Sequence, residues 1–278
     1  IIGPTGTGKS VLLNTLEAYF TKYNGSRLFI FDKSASSRAI TAAMGGNFYN
    51  LGLEEDVISF QPLALIHDET ERSWAAEWIN SYLKLEKYPV NPSSKDLIWK
   101  ALCSLAELPI EQRTISIFSG IVQDQDIRQA LIPLTKDGSF GKLFDSNKDR
   151  FGEGNWQVFE MEALMNIPSI VPPTLDYLFH RIESQLKEKP ADGKPWSPAM
   201  IVLDECWLYL KNEIFAAKIR EYFKDMRKKN CGIVIATQNL SDIMTNQDFA
   251  DTIINNCPTK IFLPNQYATN ETNLRLYK

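Results

Sequence analysis

The chain opens IIGPTGTGKS, so a glycine-rich octet, Gly3 to Ser10, stands directly behind two apolar residues. The octet fits G-x-x-x-x-G-K-[ST] at every position, and that pattern leaves few local structures open. Its glycines let the backbone curl until successive N–H groups point inward, with the positive end of a following helix behind them. Such a concavity suits phosphate oxygens, and it dictates a strand, a loop and a helix in that order. Gly3, Pro4, Thr5, Gly6, Thr7, Gly8, Lys9, Ser10 and Val11 are therefore the candidate nucleotide contacts. Lys9 would reach the β and γ phosphates and Ser10 would ligate Mg²⁺.

From Lys9 a helix is expected over 9–23, with Leu12, Leu16, Tyr19 and Phe20 at helical spacing before Asn24-Gly25. Residues 27–31 read as a parallel strand buried on both faces, ending at Asp32. A short helix over 34–44 and short β segments at 48–50 and 57–60 follow. Between residues 71 and 150 the pattern is helix after helix, for example Trp74, Trp78, Tyr82 and Leu85. Two readings of this stretch stand side by side: a helical insertion, or an outer layer of the core. Strands return at 156–161, 200–203, 232–236 and 260–263, interleaved with helices from Pro172, near 214–229 and near 247–255. Parallel strands alternating with helices imply a three-layer α/β fold with its ligand at the carboxyl ends of the strands. The organisation expected is a first core segment 1–70, a mainly helical segment 71–150 and a second core segment 151–278.

The partner to the glycine loop is the run Met200-Ile201-Val202-Leu203 followed by Asp204-Glu205. Asp204 would complete the Mg²⁺ shell, and Glu205 would polarise the attacking water. Gln238, at the tip of the next strand, would sense the γ phosphate, unless it merely begins a loop. Arg220, Lys224, Arg227 and Lys228 share one helix face. That face is either a solvated basic surface or the source of an arginine finger, Arg227, that enters an adjacent subunit's site. Asp32-Lys33 faces either the nucleotide or a subunit contact. Asn147-Lys148-Asp149-Arg150 misplaces the Asp of N-K-x-D, which disfavours a guanine-nucleotide switch.

Composition excludes several other classes. Thirty basic against thirty-four acidic residues give a net charge of −4, so no global basic field recommends nucleic acid. Four cysteines without C-x-x-C spacing and two histidines indicate neither a zinc site nor a disulfide scaffold, and a reducing cytoplasm fits. No run of eighteen apolar residues is present. The chain has no initiator Met and opens almost inside the glycine loop, so it reads as a fragment of something longer.

With these residues in place, the sequence resembles the ATPases of conjugation and type IV secretion, the TrbE/CagE kind that corresponds to the fourth VirB component. More distantly it is similar to the hexameric DNA pumps of the FtsK and HerA group. The resemblance runs through FIFDKSASSR from Phe29, WQVFEMEAL from Trp156, IVLDECWLYL from Ile201 and RKKNCGIVIATQNLSDI from Arg227. It implies a RecA-like P-loop NTPase core with a mainly helical insertion, ATP and Mg²⁺ as cofactors, and a homo-hexamer. Lys9, Glu205, Gln238 and Arg227 would be its catalytic residues, with Ser10 and Asp204 on the metal. It also implies secretion-channel partners and a peripheral position at the inner face of the bacterial inner membrane. A DNA translocase and a nucleotide-gated scaffold with little turnover are the competing readings. Net acidity weighs against tight DNA contact, and an intact Glu205 weighs against the scaffold.

Overall fold

The computed structural model describes residues 1–51, 58–152, 154–187, 197–205, 226–238 and 257–265. In chain order the elements are α1 (Lys9–Phe20), β1 (Arg27–Asp32), α2 (Arg38–Ala43), β2 (Asn47–Asn50), α3 (Glu69–Leu85), α4 (Pro92–Ala106) and α5 (Ile115–Ile121). There follow α6 (Gln125–Leu131), α7 (Gly141–Phe144), β3 (Trp156–Glu160), α8 (Glu162–Met165), α9 (Val171–Lys187), β4 (Ala199–Leu203) and β5 (Cys231–Ile235). The chain divides into two compact units, one of Ile1–Tyr49, Glu153–Met165 and Ile182–Lys278, the other of Asn50–Gly152 and Asn166–Arg181.

The first unit is built on a sheet of order β2-β3-β1-β4-β5. β1 pairs in parallel with both β3 and β4, and β4 pairs in parallel with β5. Burial explains the continuous apolar runs: β3 and β4 are buried at every position, and so are Leu28, Phe29, Ile30 and Phe31 of β1. Alternation then sorts the side chains by face. Leu28, Ile30, Trp156, Val158, Met200 and Val202 pack with Leu13 of α1, while Phe31 and Phe159 meet on the opposite face. Ile2 forms parallel bridges to Thr237 beyond β5 and to Phe262. The strand that enters the glycine loop therefore lies beside β5, and β5 separates it from β4.

In the second unit polar residues at helix starts satisfy the orphan N–H groups. Asp68 accepts from Thr70 and Glu71 at α3, Asn91 and Ser94 form a capping box at α4, and Thr114 and Asp124 cap α5 and α6. The core is aromatic: the Phe60 and Tyr177 rings lie 4.6 Å apart and those of Trp78 and Phe144 5.6 Å apart. This unit is wider in sequence than the helical run over 71–150. It takes in 58–66, where Ile58, Phe60, Leu63 and Ile66 are buried, and the first part of α9. Hydrophobic periodicity marks which face of a segment is buried, not which core receives it.

Three expected elements change. Residues 58–60 form no strand, because Phe60 exchanges backbone bonds with Leu143 and Ser146 across an irregular connection. The helix expected from 34 begins at Arg38, since Ser34 and Ala35 adopt left-handed φ values of 68° and 52°. The strand expected at 260–263 contracts to the single bridge at Phe262. The helices near 214–229 and 247–255 lie outside the described residues, except that Arg227–Lys229 form a 3-10 turn.

Candidate nucleotide site

Each glycine of the loop meets a different demand. A Cβ on Gly3 would sit 2.7 Å from Leu263 Cβ and 2.8 Å from Thr7 Oγ1, so close packing excludes a side chain. Gly6 and Gly8 instead have φ values of 82° and 89°, a region that costs an L-residue energy. Thr7 ties the turn by donating its hydroxyl to Pro4 O at 2.7 Å. Gly8 is the N-cap of α1 and no side chain caps the helix there, unlike α3 to α6, so its first N–H groups remain open to an anion. Val11 is 71% exposed on the outer face.

Lys9 is only 8% exposed and runs to the carboxyl end of β4. Its Nζ lies 2.6 Å from Asp204 Oδ1 and 2.7 Å from Glu205 Oε1, joining residues 195 and 196 positions apart. Burial opposes the charge on Lys9, but the two carboxylates outweigh it and hold its pKa above the ordinary lysine value. Burial acts upward on Asp204 more strongly than Lys9 acts downward, so that carboxyl titrates above the usual aspartate range. Glu205 has φ 53°, a strained conformation of the kind that concentrates at functional sites.

Gln238 stands at the loop mouth, where its Oε1 accepts from Thr5 Oγ1 at 2.8 Å. The backbone anchors this arrangement, with Gly3 N donating to Thr237 O at 3.1 Å. Arg227 begins the 3-10 turn before β5, but its side chain lies outside the described residues, as do Arg220 and Lys224. Lys229, at the end of that turn, pairs with Glu183 at 2.5 Å.

Asp32 proves to be committed within the chain: it accepts from Ser36 Oγ at 2.6 Å and from Ser37 N at 2.8 Å. Glu160, at the end of β3, accepts from the N–H groups of Ser34 and Ala35. Together these two carboxylates hold the left-handed turn after β1, and Asn14 of α1 donates to Ser36 O at 3.1 Å. Burial is the main force that pushes Asp32 up to about 6.

Sequence reasoning did not single out Glu17. It is 1% exposed, and neither carboxyl oxygen has a hydrogen-bond partner among the described residues. Burial first, then the charges of Asp32 and Asp204, push it up to about 8. The signal was its spacing: Lys9, Leu13 and Glu17 recur every fourth residue and form the buried stripe of α1.

A glycine loop beside β5, with β4 and its Asp-Glu pair one strand further on, defines a P-loop nucleotide-binding domain. The chain belongs to the TraG P-loop domain family, whose model matches residues 121–274, more than half of the chain, and takes in Asp204, Glu205 and Gln238. It is 40% identical over 273 residues to a probable conjugal transfer protein, TrbE, of Sinorhizobium fredii, covering 96% of this chain and 40% of that one. Identity is 38% to TrbE of Rhizobium radiobacter and 30% to the type IV secretion system protein virB4 of Bartonella henselae, over 32% and 33% of their lengths. The chain thus spans only a third to two fifths of these relatives. In fold it is similar to VirB4 of Thermoanaerobacter pseudethanolicus, with a TM-score of 0.72 at 16% identity over 99% of this chain and 78% of that one. The conjugative coupling protein TrwB gives 0.61 at 16% identity, over 99% and 72%. Among the described residues no helix is long and apolar enough to cross a membrane.

Proposed function

We propose that this chain is the ATP-hydrolysing part of a motor that energises assembly of, and substrate transfer through, a type IV secretion or conjugation system. The observation that carries the reading is the meeting of Lys9 with Asp204 and Glu205 at 2.6 and 2.7 Å. The Lys9 ammonium and two buried carboxylates thus meet beside the loop. Carboxylate and hydroxyl oxygens are the donors a hard divalent cation takes, so Asp204 and Ser10 fit Mg²⁺. When bound, that ion would neutralise charge on the β and γ phosphates.

The chain's own residues then divide the work. Phosphate oxygens compete with Asp204 and Glu205 for Lys9, and Glu205 accepts a hydrogen bond from the attacking water. Gln238, tethered through Thr5, is the proposed sensor of the γ phosphate. Arg227 is the candidate finger for an adjacent subunit, which requires a homo-oligomer, a hexamer by family likeness. TrwB was solved with an ATP analogue and with a GTP analogue, which supports nucleotide binding but leaves the base open. The likeness to conjugal transfer and type IV secretion system proteins supports secretion-channel partners; a peripheral place at the inner face of the inner membrane follows from the family resemblance alone.

Steady-state ATP turnover of the chain beside Glu205→Gln, each with and without DNA, tests the reading. Turnover that is lost in the variant and indifferent to DNA supports it. Strong stimulation by DNA would replace it with a translocase, and equal turnover in both proteins would remove Glu205 from the chemistry.

A further inference from the structure

A cavity of about 450 Å³ lies wholly within the helical unit and shares no lining residue with the P-loop. Glu71 and Trp74 line it from α3, His180 and Arg181 from α9, and Ile110 and Glu111 from a 3-10 turn. Its wall holds donors without acceptors. Among the described residues neither Trp74 Nε1 nor Arg181 Nε has a hydrogen-bond partner, although both atoms are buried. A buried N–H that has given up water and gained no acceptor is unfavourable. Arg181 Nε does lie 3.3 Å from Asp149 Oδ2, but Asp149 already accepts from the Tyr177 hydroxyl and the Phe151 N–H. The His180 ring stacks on that of Trp74 at 3.9 Å and 7°, which covers one face of the indole and leaves its N–H edge to be met.

The charged groups come in opposed pairs. Arg181 stands by Asp149, His180 Nε2 lies 2.9 Å from Glu71 Oε2, and Lys148 and Glu111, both exposed, bring one charge of each sign to the rim. Neither a carboxylate nor an ammonium group therefore finds an uncompensated opposite charge. Burial pushes Glu71 up, but the His180 hydrogen bond and charge outweigh it and keep the carboxyl below the usual glutamate range. Glu71 is thus an acceptor, and its second oxygen makes no hydrogen bond among the described residues. Pro62, Leu65 and Ile110 supply apolar wall, with Ile110 41% exposed.

We infer that this cavity receives an uncharged peptide segment that carries an aliphatic side chain. Its carbonyl oxygens accept from the Trp74 indole and the Arg181 guanidinium, and an amide N–H donates to the second oxygen of Glu71. The aliphatic side chain lies against Leu65 and Ile110. An amide answers both deficits of the wall, since it carries an acceptor and a donor and no charge. Water could satisfy the same donors, but it gains nothing from the apolar wall. The volume falls in the range of roughly 300–1,000 Å³ common to ligand sites. The site goes beyond the nucleotide site and does not depend on it.

Nitrogen-15 labelling of the six tryptophan indoles of the full chain gives a local readout by NMR, and Trp74→Phe assigns the Trp74 peak by its loss. Titration with N-acetyl-leucine methylamide is expected to move that peak saturably. N-acetyl-leucinate, an anion, and leucine methylamide, a cation, should each bind about tenfold more weakly, because either brings a charge that no opposite charge is open to meet. N-acetyl-leucine methyl ester, which lacks one N–H, should bind several-fold more weakly than the methylamide. Ile110→Ala, at an exposed position where folding is not at stake, should weaken the methylamide several-fold. Acetyl-Gly-Leu-Gly amide, with more of a peptide's carbonyls, should bind more tightly than the single residue. The inference fails if no indole peak moves saturably, which would leave water as the occupant. It fails equally if either charged compound or the ester binds as tightly as the methylamide, if Ile110→Ala leaves the affinity unchanged, or if the longer peptide gains nothing.

Discussion

Lys9 is the residue on which binding and stability meet. Its replacement by Ala removes the ammonium that Asp204 and Glu205 share, and breaking such a buried ion pair costs about 3–5 kcal/mol near neutral pH. That deficit should shrink as pH falls and the carboxyls take up protons, which denaturant melts at pH 5 and pH 8 would register. The same variant should bind ATP at least tenfold more weakly, and unchanged affinity would remove the loop from nucleotide binding. Glu17 makes a separate prediction. Its folded pKa of about 8 lies above the ordinary glutamate value of 4.5, so the folded state holds the proton more tightly. Its contribution to stability is therefore complete below about 4.5 and is lost as pH rises toward 8. Glu17→Gln, an isostere of the protonated acid, should match the wild type near pH 4.5 and exceed it at pH 8 by an amount on the order of a few kcal/mol. Asp32, pushed up to about 6, titrates within the same window, and because its charge acts on Glu17 the two groups contribute to the difference between the proteins together. Equal pH profiles for the two proteins would mean that Glu17 is ionised in the fold.

At the scale of elements, the turn between β1 and α2 stores strain that two carboxylates retain. Ala35 has φ 52°, where a Cβ costs roughly 1–2 kcal/mol and glycine costs little. Ala35→Gly should therefore raise the melting temperature slightly, once glycine's greater unfolded entropy is deducted. Glu160→Gln, which weakens the bonds from Ser34 and Ala35, should lower it. In the helical unit, Asn91→Ala removes one half of the α4 capping box and should cost about 1 kcal/mol. A thermal melt that gave Ala35→Gly the lower midpoint would show that the left-handed turn is not the strained element.

At the scale of the whole molecule, turnover and assembly separate the roles proposed for Glu205 and Arg227. Glu205→Gln should reduce ATP turnover by about a hundredfold or more while retaining nucleotide affinity. Arg227→Ala should reduce turnover only where subunits adjoin, so mixing it with Glu205→Gln protein should restore some activity through hybrid sites. If Arg227→Ala hydrolyses normally while still assembling, as measured by light scattering, another group supplies the finger. The chain spans only a third to two fifths of its relatives' length.

Local chemistry determined a good deal of this protein by itself. The octet from Gly3 to Ser10 could form only a narrow turn before a helix, and Ile201 to Leu203 only a strand buried on both faces, because glycine freedom and apolar continuity act within a few residues. Lys9, Asp204 and Glu205 were therefore legible as residues that meet before any coordinates. Sequence could not place Glu17 beside Asp32 and Asp204, commit Asp32 to its own turn, or draw Phe60 and Tyr177 into one helical core. Asp32 is held by Ser36 and Ser37 only four and five positions on, but the meetings of Glu17 with Asp204 and of Phe60 with Tyr177 join residues more than a hundred positions apart. Such contacts are fixed by packing and by the low dielectric of the interior, and neither is written in the periodicity of a segment.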